Sequence, residues 1–214
     1  MAPNQFGPAP LLVALLATAS RAASVPAAAE STHGQVLVLG AHHTATSIVA
    51  KSLSLLGLYV GEPDELLLSP ANPLKFWERR DVIDANQLRL RAGTPTANHS
   101  KLLPEWVGYG FDGTHGARLD VAKAREAIAK LEAGAAKAAS RRGDGSPSSW
   151  AIKDPRLSLL ASEWLPLMRE DAVCVLTVRH PLEFANSMME YSSSLGLSHW
   201  NRVWQHYMTS ALRS

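Results

Sequence analysis

Gly40-Ala41-His42-His43-Thr44-Ala45-Thr46-Ser47 separates the apolar run QVLVL from a helical stretch, and it consists of small, hydroxyl and imidazole residues. A loop of this kind at a helix start presents backbone N–H groups at the positive end of the helix dipole, which is the chemistry of phosphate binding. Thr44, Thr46 and Ser47 add hydroxyl donors. The same hydroxyls also serve as ordinary helix caps, and the loop taken alone leaves both readings open. Nucleotide-hydrolysing loops read G-x-x-x-x-G-K-[ST]. Here Gly40 and Ser47 take the first and last positions, but Ala45 replaces the second glycine and Thr46 the lysine. Without that lysine the charge on β- and γ-phosphates goes largely uncompensated, which disfavours ATP or GTP hydrolysis and with it a small-molecule kinase.

Other chemistry-bearing residues lie far away along the chain. Arg179 follows the apolar run VCVLTV, Pro181 suits the first turn of a helix, and Ser187 stands within that helix. An arginine fork and a hydroxyl so spaced can hold a second phosphate, although a surface arginine and an unrelated helix serine would read the same way. Lys153-Asp154-Pro155-Arg156 closes another apolar run. Glu78 follows Phe76-Trp77, an apolar pair that can raise a carboxyl pKa, and it also suits an N-terminal helix carboxylate.

The elements that must position these groups follow from the apolar pattern. QVLVLG is a continuous run, as expected of a strand buried on both faces. Ile48, Val49, Leu53, Leu55 and Leu56 then give an apolar helical face that Gly57 can end. LLLSPANPLKFWERRDVIDANQLRLRAG begins as a loop broken by two prolines and turns helical near Glu78. Residues 92–116 are rich in Gly, Thr, Pro and His and read as a long surface loop. ARLDVAKAREAIAKLEAGAAKAAS reads as a helix with Leu119, Val121, Ile128 and Leu131 as its buried side, and RRGDGSPSS as a flexible connector. SSWAIKDPR and DAVCVLTVRHP each run as a strand into a turn at proline with a helix behind. Strands alternating with helical crossovers imply an α/β fold of three layers, a central parallel sheet flanked by helices. Ligands bind beyond the carboxyl ends of such strands. Gly40 to Ser47, Lys153 to Arg156 and Arg179 to Ser187 are therefore expected to converge on one edge.

Four segments together resemble the sulfotransferases that use 3'-phosphoadenosine-5'-phosphosulfate (PAPS). GAHHTATS is similar to a first loop of the form G-x-[HP]-[RK]-S-G-T-[ST], and VRHPLEFANS to a strand end R-[DN]-P with a serine eight residues after the arginine. NPLKFWERRDVIDAN resembles N-P-x-G-F-W-E, and WAIKDPRLSLLASEWLPLM resembles a K-D-P-R strand end. The resemblance covers roughly residues 35 to 210 and implies a P-loop NTPase-like sulfotransferase fold. It implies that Thr46 and Ser47 hold the 5'-phosphate, with Gly40, His42, His43, Thr44 and Ala45 shaping the same cofactor loop. Arg179 and Ser187 would hold the 3'-phosphate, and Lys153, Asp154 and Arg156 would face the active site. Glu78 is the expected general base, with His42 and His43 as alternatives; a protonated His43 would donate to the leaving group. The expected reaction is sulfuryl transfer to a hydroxyl of a carbohydrate or small molecule, with no metal. The chain departs from the pattern at His43, where the family has Arg or Lys, and at Ala45 and Lys75, where it has glycine. Ala45 is thus expected at a backbone needing φ > 0, at a cost of order 1 kcal/mol. A degenerate, non-catalytic nucleotide- or partner-binding protein is the rival reading.

Composition bounds the rest. A chain of 214 residues, 46% of them hydrophobic, suits one domain with a sizeable core. The net charge of +2 is spread along the sequence, which gives no nucleic-acid stripe and no polybasic membrane tail. Cys174, the single cysteine, lies in an apolar run and reads as a buried thiol. The eight histidines show no ligand spacing. Residues 11–18 form a short apolar core, too short for a membrane span, followed by small residues that permit cleavage after Ser20, Ser24 or Ala29. Residues 1–29 therefore read as a signal or transit peptide and 30–214 as the α/β domain. The expected location is the secretory pathway, Golgi lumen or secreted, with plastid import as the alternative. Asn98-His99-Ser100 is a glycosylation sequon that fits a lumenal protein.

Overall fold

The computed structural model describes residues 12–16, 34–68, 76–93, 118–143, 145–191 and 195–214. Lys75, the Asn98 sequon and the cleavage positions after Ser20, Ser24 and Ala29 lie outside them. Four apolar runs form one sheet: β1 (Leu12–Leu16), β2 (Gln35–Leu39), β3 (Trp150–Lys153) and β4 (Val173–Val178), in the order β1-β4-β2-β3. β2 pairs in parallel with both β3 and β4. All four residues of β3 and four of the five in β2 are buried. Successive side chains point to opposite faces, so both faces of the sheet are covered, as the continuous apolar runs require.

β2 leads through α1 (Thr46–Leu55), α2 (Arg80–Gly93) and α3 (Val121–Arg142) to β3 on one side of it. β3 leads through α4 (Leu157–Trp164) to β4 on the other side, and α5 (Pro181–Tyr191) and α6 (Leu197–Leu212) follow. The strand order therefore reverses about β2. In an open parallel sheet the crevice at such a reversal is where ligands sit. Register places Val38 of β2 opposite both Lys153, where β3 ends, and Val175, so the three strands run the same way and their loops leave from one edge, β4 reaching two residues beyond Leu39. The expected convergence is thus built into the pairing.

Two helix faces differ from expectation. On α1, Thr46 and Ala50 turn inward, while Ile48, Leu55 and Leu56 are 64%, 78% and 77% exposed. The helix presents its small residues to the sheet, and periodicity alone does not say which arc of a largely apolar helix packs. On α3, Ile128 and Leu131 are buried as expected, together with Ala124, Ala127 and Ala135, but Val121 is exposed. Val121 is the first helical residue, beyond the reach of the core. The N-cap before it is Asp120, whose carboxylate accepts the Lys123 N–H at 3.2 Å. The second helix starts at Arg80, two residues after Glu78.

The composition of residues 11–18 suits a targeting segment, and β1 lies within them. In the structure it lies antiparallel against β4, with Leu12 opposite Val178 and Leu16 opposite Cys174. A short run of Leu, Val and Ala has the length and hydropathy for either job. Among the described residues no helix is long and apolar enough to cross a membrane.

Candidate functional site

The site begins at Gly40, where β2 ends. Its N–H donates to Ser158 Oγ at 2.7 Å, and Ser158 Oγ donates back to the Gly40 carbonyl at 3.1 Å, pinning the loop to α4. Thr44 Oγ1 lies 2.7 Å from the Ala41 carbonyl and 2.9 Å from Thr177 Oγ1, which in turn lies 3.1 Å from the Leu39 carbonyl. Thr44 and Thr177 are both fully buried, so these hydroxyls fix the turn from beneath and do not face a ligand. Ser47 Oγ donates to the Phe76 carbonyl at 3.1 Å. The hydroxyls of Thr44 and Ser47, expected as phosphate donors, are therefore engaged by the protein itself.

What the loop does present is backbone. Ala45 is the N-cap of α1 with φ 68 and ψ 17, and among the described residues no side chain caps the helix. The first N–H groups of a helix have few partners within it; here the Ile48 N–H already donates to the Ala45 carbonyl at 3.0 Å, and among the described residues no side-chain cap serves the others. The simple capping reading of Thr44, Thr46 and Ser47 is thereby set aside. The left-handed conformation expected at Ala45 is present, and His43 shares it with φ 59.

The second part of the expected constellation meets the first. His43 Nδ1 lies 2.8 Å from Ser187 Oγ on α5, and Arg179 Nη1 donates to the His43 carbonyl at 3.1 Å. Residues well over a hundred positions apart in sequence thus close on one another. Arg179 is steadied by Glu183, at 3.3 Å, and its own carbonyl accepts from Trp204 Nε1 at 3.0 Å. Desolvation is the main reason the His43 imidazole titrates below its ordinary range, with Arg179 and Lys153 pushing the same way and Glu190 opposing them. The shift favours the neutral ring.

Beneath this edge lies a buried charge cluster. Lys153 Nζ contacts Glu78 Oε1 at 2.5 Å and donates to the Phe76 carbonyl at 3.0 Å. Arg156 Nη2 reaches Glu78 Oε2 at 3.1 Å, and Arg156 Nε reaches Asp154 Oδ1 at 2.7 Å. Asp154 Oδ2 accepts from Asn86 Nδ2 at 2.9 Å, and Asn86 Oδ1 accepts from Trp164 Nε1 at 2.8 Å. Two cations and two carboxylates balance, which is how a protein keeps charges out of water. Burial pushes the Glu78 carboxyl up and the Lys153 ammonium down, each against the pull of its partner. Both carboxylate oxygens of Glu78 are occupied in this arrangement.

The remaining expected residues are placed as follows. His42 is half-buried and packs edge-on against Tyr207, with ring centroids 5.8 Å apart, away from a role at the loop surface. Trp77 is half-buried, and Cys174 is a buried free thiol whose pKa burial raises. Sequence reasoning missed Ser158, Thr177, Asn86 and Tyr207. Single polar residues inside apolar helices and strands carry no local pattern; an inward-facing Ser or Thr within a strand or helix was the one available cue. Among known proteins, no family model, no curated sequence and no solved structure matches this chain.

Proposed function

We propose that the carboxyl edge of the sheet binds PAPS and that the protein is a sulfotransferase of the P-loop-like fold, acting on a hydroxyl of a carbohydrate or small molecule. The observation that carries this reading is the meeting of Arg179, Ser187 and His43 beside the uncapped start of α1. It sets an arginine fork and the N-terminal backbone of α1 on one surface, as a ligand with two phosphate groups demands. The acceptor oxygen attacks sulfur in line, and the bond from sulfur to the bridging oxygen breaks. The electron pair leaves on 3',5'-ADP, and the hydroxyl proton passes to a base, for which Glu78 is the choice. Residence in the secretory lumen belongs to the same proposal.

A second reading is a nucleotide- or partner-binding protein without turnover. It is favoured by the engagement of both Glu78 oxygens and by a loop with neither Lys nor Arg.

The test is thermal denaturation of the full chain with 3',5'-ADP, with ATP and AMP as controls. A ligand at 100 times its dissociation constant stabilises by about 2.7 kcal/mol, which for this size raises Tm by roughly 5–10 °C. We expect that shift with 3',5'-ADP and its loss in Arg179→Ala. No shift with any nucleotide, in protein shown to be folded, would sink the reading. Binding without sulfate transfer from PAPS to a panel of hydroxyl acceptors would select the non-catalytic alternative.

A further inference from the structure

Breaking a bond to a phosphate-borne oxygen leaves negative charge there, and a cation placed against it is the largest aid a protein gives. The loop Gly40–Ser47 holds no Lys or Arg, and its His43 titrates below the ordinary imidazole range. A buried cation, Lys153, lies close beneath it. Its Nζ and Ser47 Oγ, in the first turn of α1, donate to one and the same oxygen, the Phe76 carbonyl, at 3.0 and 3.1 Å. Lys153 therefore lies one carbonyl away from the helix start where a phosphate would sit. The residues that hold it there belong to a constrained segment. Trp77, between Phe76 and Glu78, has φ 60, an outlying conformation for a bulky side chain.

Resting on the PAPS reading, we propose that Lys153 is the leaving-group cation, held in reserve by Glu78 and Phe76, and that nucleotide binding moves its ammonium from Glu78 Oε1 to the phosphosulfate. The same exchange releases one oxygen of Glu78 as acceptor for the substrate's hydroxyl proton. Arg156 keeps the other oxygen in place, because Arg156 is itself fixed by Asp154. One carboxylate thus masks the cation before nucleotide arrives and becomes the base after it. Nucleotide binds before acceptor as a consequence, since the base does not exist until Lys153 has left it.

Two measurements on the full chain test the exchange. Glu78→Gln removes the competing charge, so 3',5'-ADP should bind tighter by at least about fivefold, the low end of coupling between linked sites. In a Lys153→Met background the same substitution should change nothing. A purely structural ion pair predicts lower stability with unaltered affinity. Should Glu78→Gln fail to fold, the wild type decides: the Lys153 ammonium resonance in lysine-labelled NMR spectra, identified by its loss in Lys153→Arg, should shift and gain a 15N–31P coupling on adding 3',5'-ADP. Nucleotide binding with that resonance unmoved and no coupling overturns the exchange while leaving the PAPS reading intact. Absence of any nucleotide binding by the wild type overturns both.

Discussion

Gly40 has φ +146, and a Cβ built there would lie 2.1 Å from Thr177 Oγ1 and 2.7 Å from Thr44 Oγ1. Those two hydroxyls are buried and tied to backbone carbonyls, so they cannot step aside cheaply. Gly40→Ala should therefore combine backbone strain with overpacking, each about 1–3 kcal/mol, and lower Tm by about 5 °C or more. Five residues on, the sign reverses. Ala45 occupies the left-handed region, which costs a non-glycine residue about 1–2 kcal/mol, partly offset by the greater unfolded-state freedom of glycine. Ala45→Gly should stabilise by about 0.5–1 kcal/mol, read as a Tm rise of about 1–4 °C; an unchanged or lower Tm would show that the loop has relaxed the strain. The left-handed backbone at position 45 was implied by the resemblance, whose loop pattern has glycine where this chain has Ala45. The fate of the hydroxyls was not. Whether Thr44 faces a ligand or its own turn depends on Thr177, which arrives from a strand far along the chain.

At the scale of elements, one contact that ties α3 to the chain returning from α1 is a glycine under an aromatic ring. A Cβ on Gly134 would lie 2.3 Å from two atoms of the Tyr59 ring. The ring has little freedom to yield. Tyr59 Oη donates to Glu65 Oε2 at 2.8 Å, an oxygen that also accepts from Arg79 and from the Glu62 N–H. Gly134→Ala gains about 1 kcal/mol in helix propensity and loses about 1–3 kcal/mol to the clash. A net loss of about 1 kcal/mol follows from those two ranges, a fall in Tm of about 2–4 °C; a rise would mean that the ring moves freely. The same ring carries a pH signature. Burial, and then the hydrogen bond to Glu65, raise the Tyr59 phenol to about 12. Raised above its unfolded value of about 10, it contributes stability that is intact below pH ~10 and lost as pH climbs towards 12. Displacing the ring should remove that part of the alkaline transition, followed by tyrosinate absorbance. None of this was visible in sequence, where Gly134 is one small residue among the alanines of a helix. Helical spacing located α3 and its Ile128–Leu131 side, but it could not show that Tyr59 needs room there, nor that α1 turns Thr46 and Ala50 inward.

For the molecule as a whole, the alternation of apolar runs and helices was enough to anticipate a parallel sheet with three loops at one edge, because strands buried on both faces must be continuously apolar. That logic fails at the first run. Leu12–Leu16 is apolar enough to lead a targeting segment and also to pair with β4, and the two roles exclude each other in one mature chain. If residues 1–29 are removed, β4 becomes an edge strand whose outer N–H and C=O groups lose their partners along VCVLTV, an apolar stretch without charge. Open edges of that composition recruit other strands. A chain beginning at residue 30 should therefore melt below the full chain and self-associate as its concentration rises, observed by light scattering on a sizing column. The parallel trio and the loops at its carboxyl edge do not include β1, so 3',5'-ADP should still shift the shortened protein's melting. If the shortened chain instead stays monomeric with an unchanged Tm, β1 adds nothing to the fold, and residues 11–18 are left to the targeting role that their composition equally fits.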